Sequence, residues 1–223
     1  MNEPQQTTHS SSASPPATAG LRVTLLRVAW LAVLLGFGME ALLLLVTAGF
    51  GIFPGLKPVA AALVQQVSWS TIVCVGLALG TAVSKARAPL MGLLGLLAAP
   101  LALEVSRSLH QGTVKALEIA GSASFFTPSL LVLALLKAVE YGCLGASLGW
   151  IGKRPWGGLM AHVLTGLIIG IVFGGAIVGF TYLYAPEPLS TADLVSRGVN
   201  ELVFPVGCSL VLFSATAVGE RVA

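Results

Sequence analysis

Six long apolar runs, separated by short polar breaks, leave this chain few ways to fold. They cover roughly residues 24–50, 61–83, 89–109, 128–151, 157–184 and 197–218. Each is near or above the roughly 20 residues that a helix needs to cross a bilayer. In hydrocarbon every backbone N–H and C=O must be satisfied by the protein itself, so a span is a helix or a strand of a closed barrel. Barrel strands alternate polar and apolar residues, and these runs do not alternate. The expectation is an all-α, polytopic integral membrane protein with six transmembrane helices. Composition agrees: 9% of the 223 residues are charged and 56% hydrophobic, against about 25% charged in a soluble domain. So few charges cannot clothe a water-facing surface, and the partner of most of this surface is the lipid bilayer. The net charge of +3 carries no basic tract of the kind that binds nucleic acid.

Two parts follow from the composition shift near residue 21. Residues 1–21 are rich in Ser, Thr, Pro and Ala, with no Lys or Arg before Arg22, and too little apolar area to offset their ordering entropy. They read as a disordered cytoplasmic tail. The apolar run behind them is too long for a signal peptide, and the missing Arg argues against a transit peptide. Residues 22–223 form the six-helix transmembrane domain.

Basic residues set the orientation. Arg22 and Arg27 stand at the start of span one, Lys85 and Arg87 between spans two and three, Lys153 and Arg154 between four and five, and Arg221 after span six. The other loops hold Lys57, Arg107, Lys115 and Arg197, diluted by Glu118, Glu187 and Asp193. The first set marks the cytoplasmic side, with both termini on it. Compactness and the lack of eukaryotic sorting signals point to a bacterial cytoplasmic (inner) membrane.

A motif recurs along the chain. Cys74-Val-Gly76-Leu-Ala-Leu-Gly80 precedes Lys85 and Arg87, and Cys143-Leu-Gly145-Ala-Ser-Leu-Gly149 precedes Lys153 and Arg154. Cys208, Ser214 and Arg221 form a degenerate third copy. The regular recurrence suggests three divergent helix-hairpin repeats. At about 100° per residue, the Gly face of each motif lies roughly opposite its Cys face. Small residues four apart let helices approach closely, so the Gly faces are expected to pack. Span five carries Gly158, His162, Gly166, Gly170 and Gly174 at that spacing. Such Gly-rich faces could also receive a second copy or a helix of a membrane complex.

Ionisable residues at membrane depth are costly and usually face the bundle interior. Glu40, Glu104, Lys137, Glu140 and Glu201 fall roughly 20–30 Å from the basic side at 1.5 Å per residue. They are the candidate substrate-binding residues. Glu140 and Glu201 lie about 60° and 20° from Cys143 and Cys208 on their helices. A pseudo-threefold arrangement would therefore gather the acids on the Cys face, around an outward-opening vestibule. Lys137 can pair with Glu140 at i, i+3 or with Glu40 across the bundle. Asn200, Gln65 and Gln66 read as interfacial, and His162 as a packed, hydrogen-bonded histidine rather than a proton relay. Three converging thiolates could hold Cu(I) or zinc. No C-x-x-C occurs, however, and buried Cys behaves as a small apolar residue, so neither a metal nor a cofactor is expected. Ser190-Thr191-Ala192-Asp193 looks like a capped helix start. With Arg197 and Asn200, it is expected to form an amphipathic collar.

No H-E-x-x-H, no Walker loop and no Gly-rich dinucleotide turn after a strand occurs, so an enzyme is not expected. Two functional expectations remain. The first is a small-solute or ion transporter, or its membrane component, using a mid-membrane charged site. The second is a non-catalytic accessory or assembly subunit of a larger membrane complex, docked through the Gly stripe of span five.

Overall fold

The computed structural model describes residues 17–82, 86–119, 129–185 and 188–222. The tail expected over residues 1–21 falls largely outside them, and the chain is already helical from Ala17. Seven α-helices follow in order: α1 (Ala17–Gly49), α2 (Leu56–Leu79), α3 (Arg87–Ala116), α4 (Ser129–Ile151), α5 (Leu159–Ile169), α6 (Gly175–Tyr184) and α7 (Thr191–Val222). A π-helical turn, Gly170–Gly174, joins α5 to α6 so that the two make one span. Six helices are thus long and apolar enough to cross a membrane. There is no strand among the described residues.

The helices outrun the apolar runs where local chemistry permits it. α2 starts at Leu56, after Gly55 at φ +84°, a conformation that glycine adopts without steric penalty. Pro58 is tolerated there because first-turn N–H groups have no helical partner. α7 starts at Thr191 behind a capping box: Asp193 N–H donates to Ser190 Oγ (3.1 Å), and Ser190 N–H donates to Asp193 Oδ2 (3.2 Å). The helix then continues unbroken to Val222. The capped segment is the first turn of span six, not a separate collar.

Chain neighbours α1–α2, α2–α3 and α3–α4 pack side by side, and α7 closes the bundle against α1 and α5. Glycines set the spacing. A Cβ on Gly76 would come within 2.6 Å of Ala98 Cβ, and one on Gly80 within 2.6 Å of Met91 Cα. Gly149 meets Ala88 at 2.7 Å in the same way. Both Gly faces of the recurring motif thus pack on α3. The stripe of span five packs on α7: a Cβ on Gly166 would reach Val206 Cα at 2.7 Å, and one on Gly174 would reach Glu201 Cβ at 2.9 Å. That stripe meets a helix of its own chain.

Two faces of the bundle can be told apart. The basic face carries the start of α1, the α2–α3 and α4–α5 connections and the end of α7. There Arg154 lies 4.7 Å over the Trp150 ring, which meets Trp156 edge-on, an aromatic belt of the kind found at lipid headgroups. The half of the bundle next to this face is a dry core, with Val28, Val73, Leu77, Met91, Leu144 and Leu148 all at or below 1% exposure. Leu34, Leu45, Leu135 and Ile168 point outward, where hydrocarbon would cover them. The candidate site lies in the opposite half.

Candidate functional site

Between α1, α2, α3, α4 and α7, in the half away from the basic face, is a cavity of about 420 Å³. Its lining includes Glu40, Thr47, Gln65, Gln66, Trp69, Ser106, Lys137, Tyr141, Asp193, Arg197, Asn200, Glu201 and Phe204. Asp193 and Arg197 sit in the first turns of α7, near the end of the bundle. Lys137 lies about 12 Å into α4, counted from Ser129 at 1.5 Å per residue. The cavity therefore runs from a polar mouth at one face to a charged floor near mid-depth.

The floor is a compact ionic cluster. Lys137, 6% exposed, donates to Glu140 Oε2 at 2.9 Å and also to Glu201 Oε2. Glu140 is fully buried, and its second oxygen, Oε1, has no hydrogen-bond partner. The ammonium also stands 5.7 Å from the Trp69 ring centre and 5.6 Å from that of Tyr141, within cation–π range. Trp69 meets Tyr141 and Phe204 edge-on, with centroids 5.8 and 6.2 Å apart. The three rings separate the cavity from the dry core. Glu40 is 7% exposed and lines the same cavity, yet its side chain makes no ion pair or hydrogen bond among the described residues. Two carboxylates thus grip one buried ammonium, and a third, Glu40, lines the same cavity.

Four of the five sequence candidates come together here. Lys137 pairs across the bundle with Glu201, not with Glu40. Glu104 stands apart on the exposed side of α3, because it falls between the buried positions Ala102 and Ser106. Gln66 and Asn200, read as interfacial, hydrogen-bond to each other at 3.0 Å inside the cavity wall. The aromatic wall is absent from the sequence expectation. Its available signal was that Trp69 and Tyr141 occur deep within apolar runs, whereas membrane Trp and Tyr concentrate at the interfaces.

The cysteines do not converge. Cys74 and Cys208 meet at 3.3 Å in the core below the rings, whereas Cys143 is exposed. The expectation that Glu140 and Cys143 share the interior face fails for a geometric reason. The buried stripe of α4 runs through Lys137, Tyr141, Leu144 and Leu148, and at about 100° per residue Cys143 lies roughly 130° from its centre. Glu140 falls on the inner side of that boundary. His162 is packed: its Nδ1 lies 3.0 Å from Gly158 O and its ring 5.1 Å from Phe213.

Two local breaks in the helix ladders coincide with the cluster. Pro205 lacks the N–H that would bond to the carbonyl of Glu201, one turn earlier. The π turn Gly170–Gly174 faces the same stretch, since Gly170 abuts Leu202 and Gly174 abuts Glu201. Such π turns recur at functional sites. The string Gly145-Ala-Ser147-Leu-Gly149 has the spacing of a hydrolase nucleophile elbow, a match the sequence reading passes over. It lies within α4, with both glycines used for packing on α3, and the strand-to-helix turn that such an elbow needs is not there. A second cavity, of about 460 Å³, lies between α1 and α7 and is lined by Leu31, Leu35, Met39, Val206 and Leu210 among others, with Ser214 its one side-chain hydroxyl.

Comparison with family models, with curated proteins and with solved structures finds no significant match for this chain.

Proposed function

We propose that the protein is a small-solute or ion transporter, or the membrane component of one, in a bacterial cytoplasmic membrane with both termini on the cytoplasmic side. One observation carries the reading: Glu40, Lys137 and Glu201 line one cavity, and Lys137 at its floor is gripped by Glu201 and the fully buried Glu140. Buried charge at mid-depth is costly, and where it persists it commonly lines a substrate or ion path. With the basic face cytoplasmic, the cavity opens outward, and the Trp69–Tyr141–Phe204 wall with the dry core beneath it forms the inner closure. The parallel register of α2 and α7, with Gln66 beside Asn200 and Cys74 beside Cys208, supports reading spans two and six as copies of one repeated hairpin element. The accessory-subunit reading rests on a Lys137–Glu140 pair that neutralises itself, which forms at 2.9 Å, and on the glycine stripe of span five, which α7 of the same chain covers.

The test is flux in proteoliposomes. Wild-type protein is expected to move at least one member of a broad panel of ions and small solutes, and Glu140→Gln to slow it more than tenfold. An absence of flux across the panel would reject transport.

A further inference from the structure

The cluster has an imbalance that narrows the chemistry of the ligand. Lys137 is held as a small cation would be held by a receptor, with carboxylates of Glu140 and Glu201 on its hydrogens and the faces of Trp69 and Tyr141 within 6 Å. Aromatic rings with carboxylates are the surroundings in which organic ammonium groups are recognised, because the ring quadrupole attracts the cation while the apolar wall tolerates its carbon substituents. The same cavity contains Glu40, more than nine-tenths buried, facing the space and without a partner. A bare inorganic cation wants a full shell of oxygens and gains less from the rings than an organic one does. An anion would find Lys137 already held by Glu140 and Glu201, and would meet Glu40 beside them in the lining although Arg197 stands at the mouth.

We infer that the cavity takes a small organic cation, a primary or quaternary ammonium, and that Lys137 is a built-in occupant of the cage that this ligand displaces. Glu40 supplies the countercharge for the incoming cation while Lys137 is still seated. Once Lys137 withdraws toward the polar mouth, the ligand takes over the carboxylates and the rings. The exchange leaves the net buried charge unchanged, since one cation leaves the cage as another enters. The inference rests on the transport reading for its purpose, although binding itself can be observed without flux.

The experiment uses the full chain in lipid nanodiscs, with n-propylammonium and tetramethylammonium as probes and n-propanol as an uncharged control of similar shape. Binding is read from thermal unfolding and from Trp69 fluorescence, with Trp30, Trp150 and Trp156 replaced by Phe. Lys137→Ala is expected to bind propylammonium at least tenfold more tightly than wild type and to be stabilised by it, with no response to propanol. Equal responses to propylammonium and propanol, or no tighter binding by the variant, would overturn the inference. Should Lys137→Ala not fold, the wild-type protein decides: saturable tetramethylammonium binding weakened tenfold by Glu40→Gln supports the inference, and no saturable binding overturns it. Flux of an anion or neutral solute without ammonium binding sinks the inference and leaves transport standing. Ammonium binding without flux of any solute does the reverse.

Discussion

Replacing Lys137 with Met should be the most destabilising single change in the cavity, and the structure gives its size. Met keeps the length and apolar stem of the side chain but withdraws the only cation that the described residues pair with Glu140 and Glu201. Breaking a buried pair by removing one partner costs about 3–5 kcal/mol, because the other charge is left uncompensated. Two carboxylates are stranded here, one of them with no exposure at all, which places Lys137→Met near 4 kcal/mol on that scale. Glu140→Gln is milder. Lys137 keeps its bond to Glu201, so the loss is one charged hydrogen bond, about 2 kcal/mol. If the two changes were independent, the double variant would lose about 6 kcal/mol. The expected loss is about 4, because Glu140→Gln removes one of the two anions that Lys137→Met strands, and neighbours in one network couple by about 0.5–3 kcal/mol. The assay is reversible unfolding in mixed micelles by SDS titration, followed by far-UV circular dichroism for all four proteins of the cycle. A cost below about 1 kcal/mol for Lys137→Met, or additivity within about 0.5 kcal/mol, would show that the cluster is not the tight ionic network described.

Other consequences are cheaper to test. Gly95 lies against the Tyr141 carbonyl, so Gly95→Ala must push α3 from α4 and is expected to destabilise by about 1–3 kcal/mol in the same assay. Gly112→Ala, in the same helix with open space around it, should be neutral or slightly stabilising. Cys74 and Cys208 should cross-link with copper phenanthroline in the folded protein, and the cross-link should be absent in Cys74→Ala.

The spans were legible because hydrophobic length is a one-dimensional property and the bilayer reads it directly. Their ends were less so. α2 begins at Leu56, ahead of the apolar run that starts near residue 61, and the polar turns of α3 after Leu109 lie outside any apolar run while remaining helical. For the site, the rarity of charge at depth singled out Glu40, Lys137, Glu140 and Glu201, but it singled out Glu104 equally. Glu104 has similar depth and stands outside, because depth says nothing about the angle around a helix. Rotation about α3 and α4 depends on which neighbours their glycines receive. The recurring motif gave the Gly faces of α2 and α4 correctly as packing surfaces, yet not that both would be applied to the single helix α3. The pairing of Lys137 with Glu201 spans two helices far apart in sequence, and no local spacing encodes it.

The same geometry says where a passage through the bundle would have to yield. Below the ionic cluster lie three rings packed edge to edge, then the Cys74–Cys208 contact and a layer of fully buried aliphatic side chains. A packed core of this kind does not deform continuously, so opening it requires helices to move as bodies. Most interfaces resist that, since α2, α3 and α4 are interlocked by glycines that admit no slack. The contact between span five and α7 is packed as closely by its own glycines, but there a π turn faces a stretch of helix that has lost one backbone hydrogen bond to Pro205. Both helices can change local winding there at less cost than elsewhere. Glu201, which contributes one of the two bonds to Lys137, sits at that joint. Movement of α7 at Pro205 would therefore alter the grip on Lys137 directly, coupling the state of the charged floor to the part of the wall most able to move.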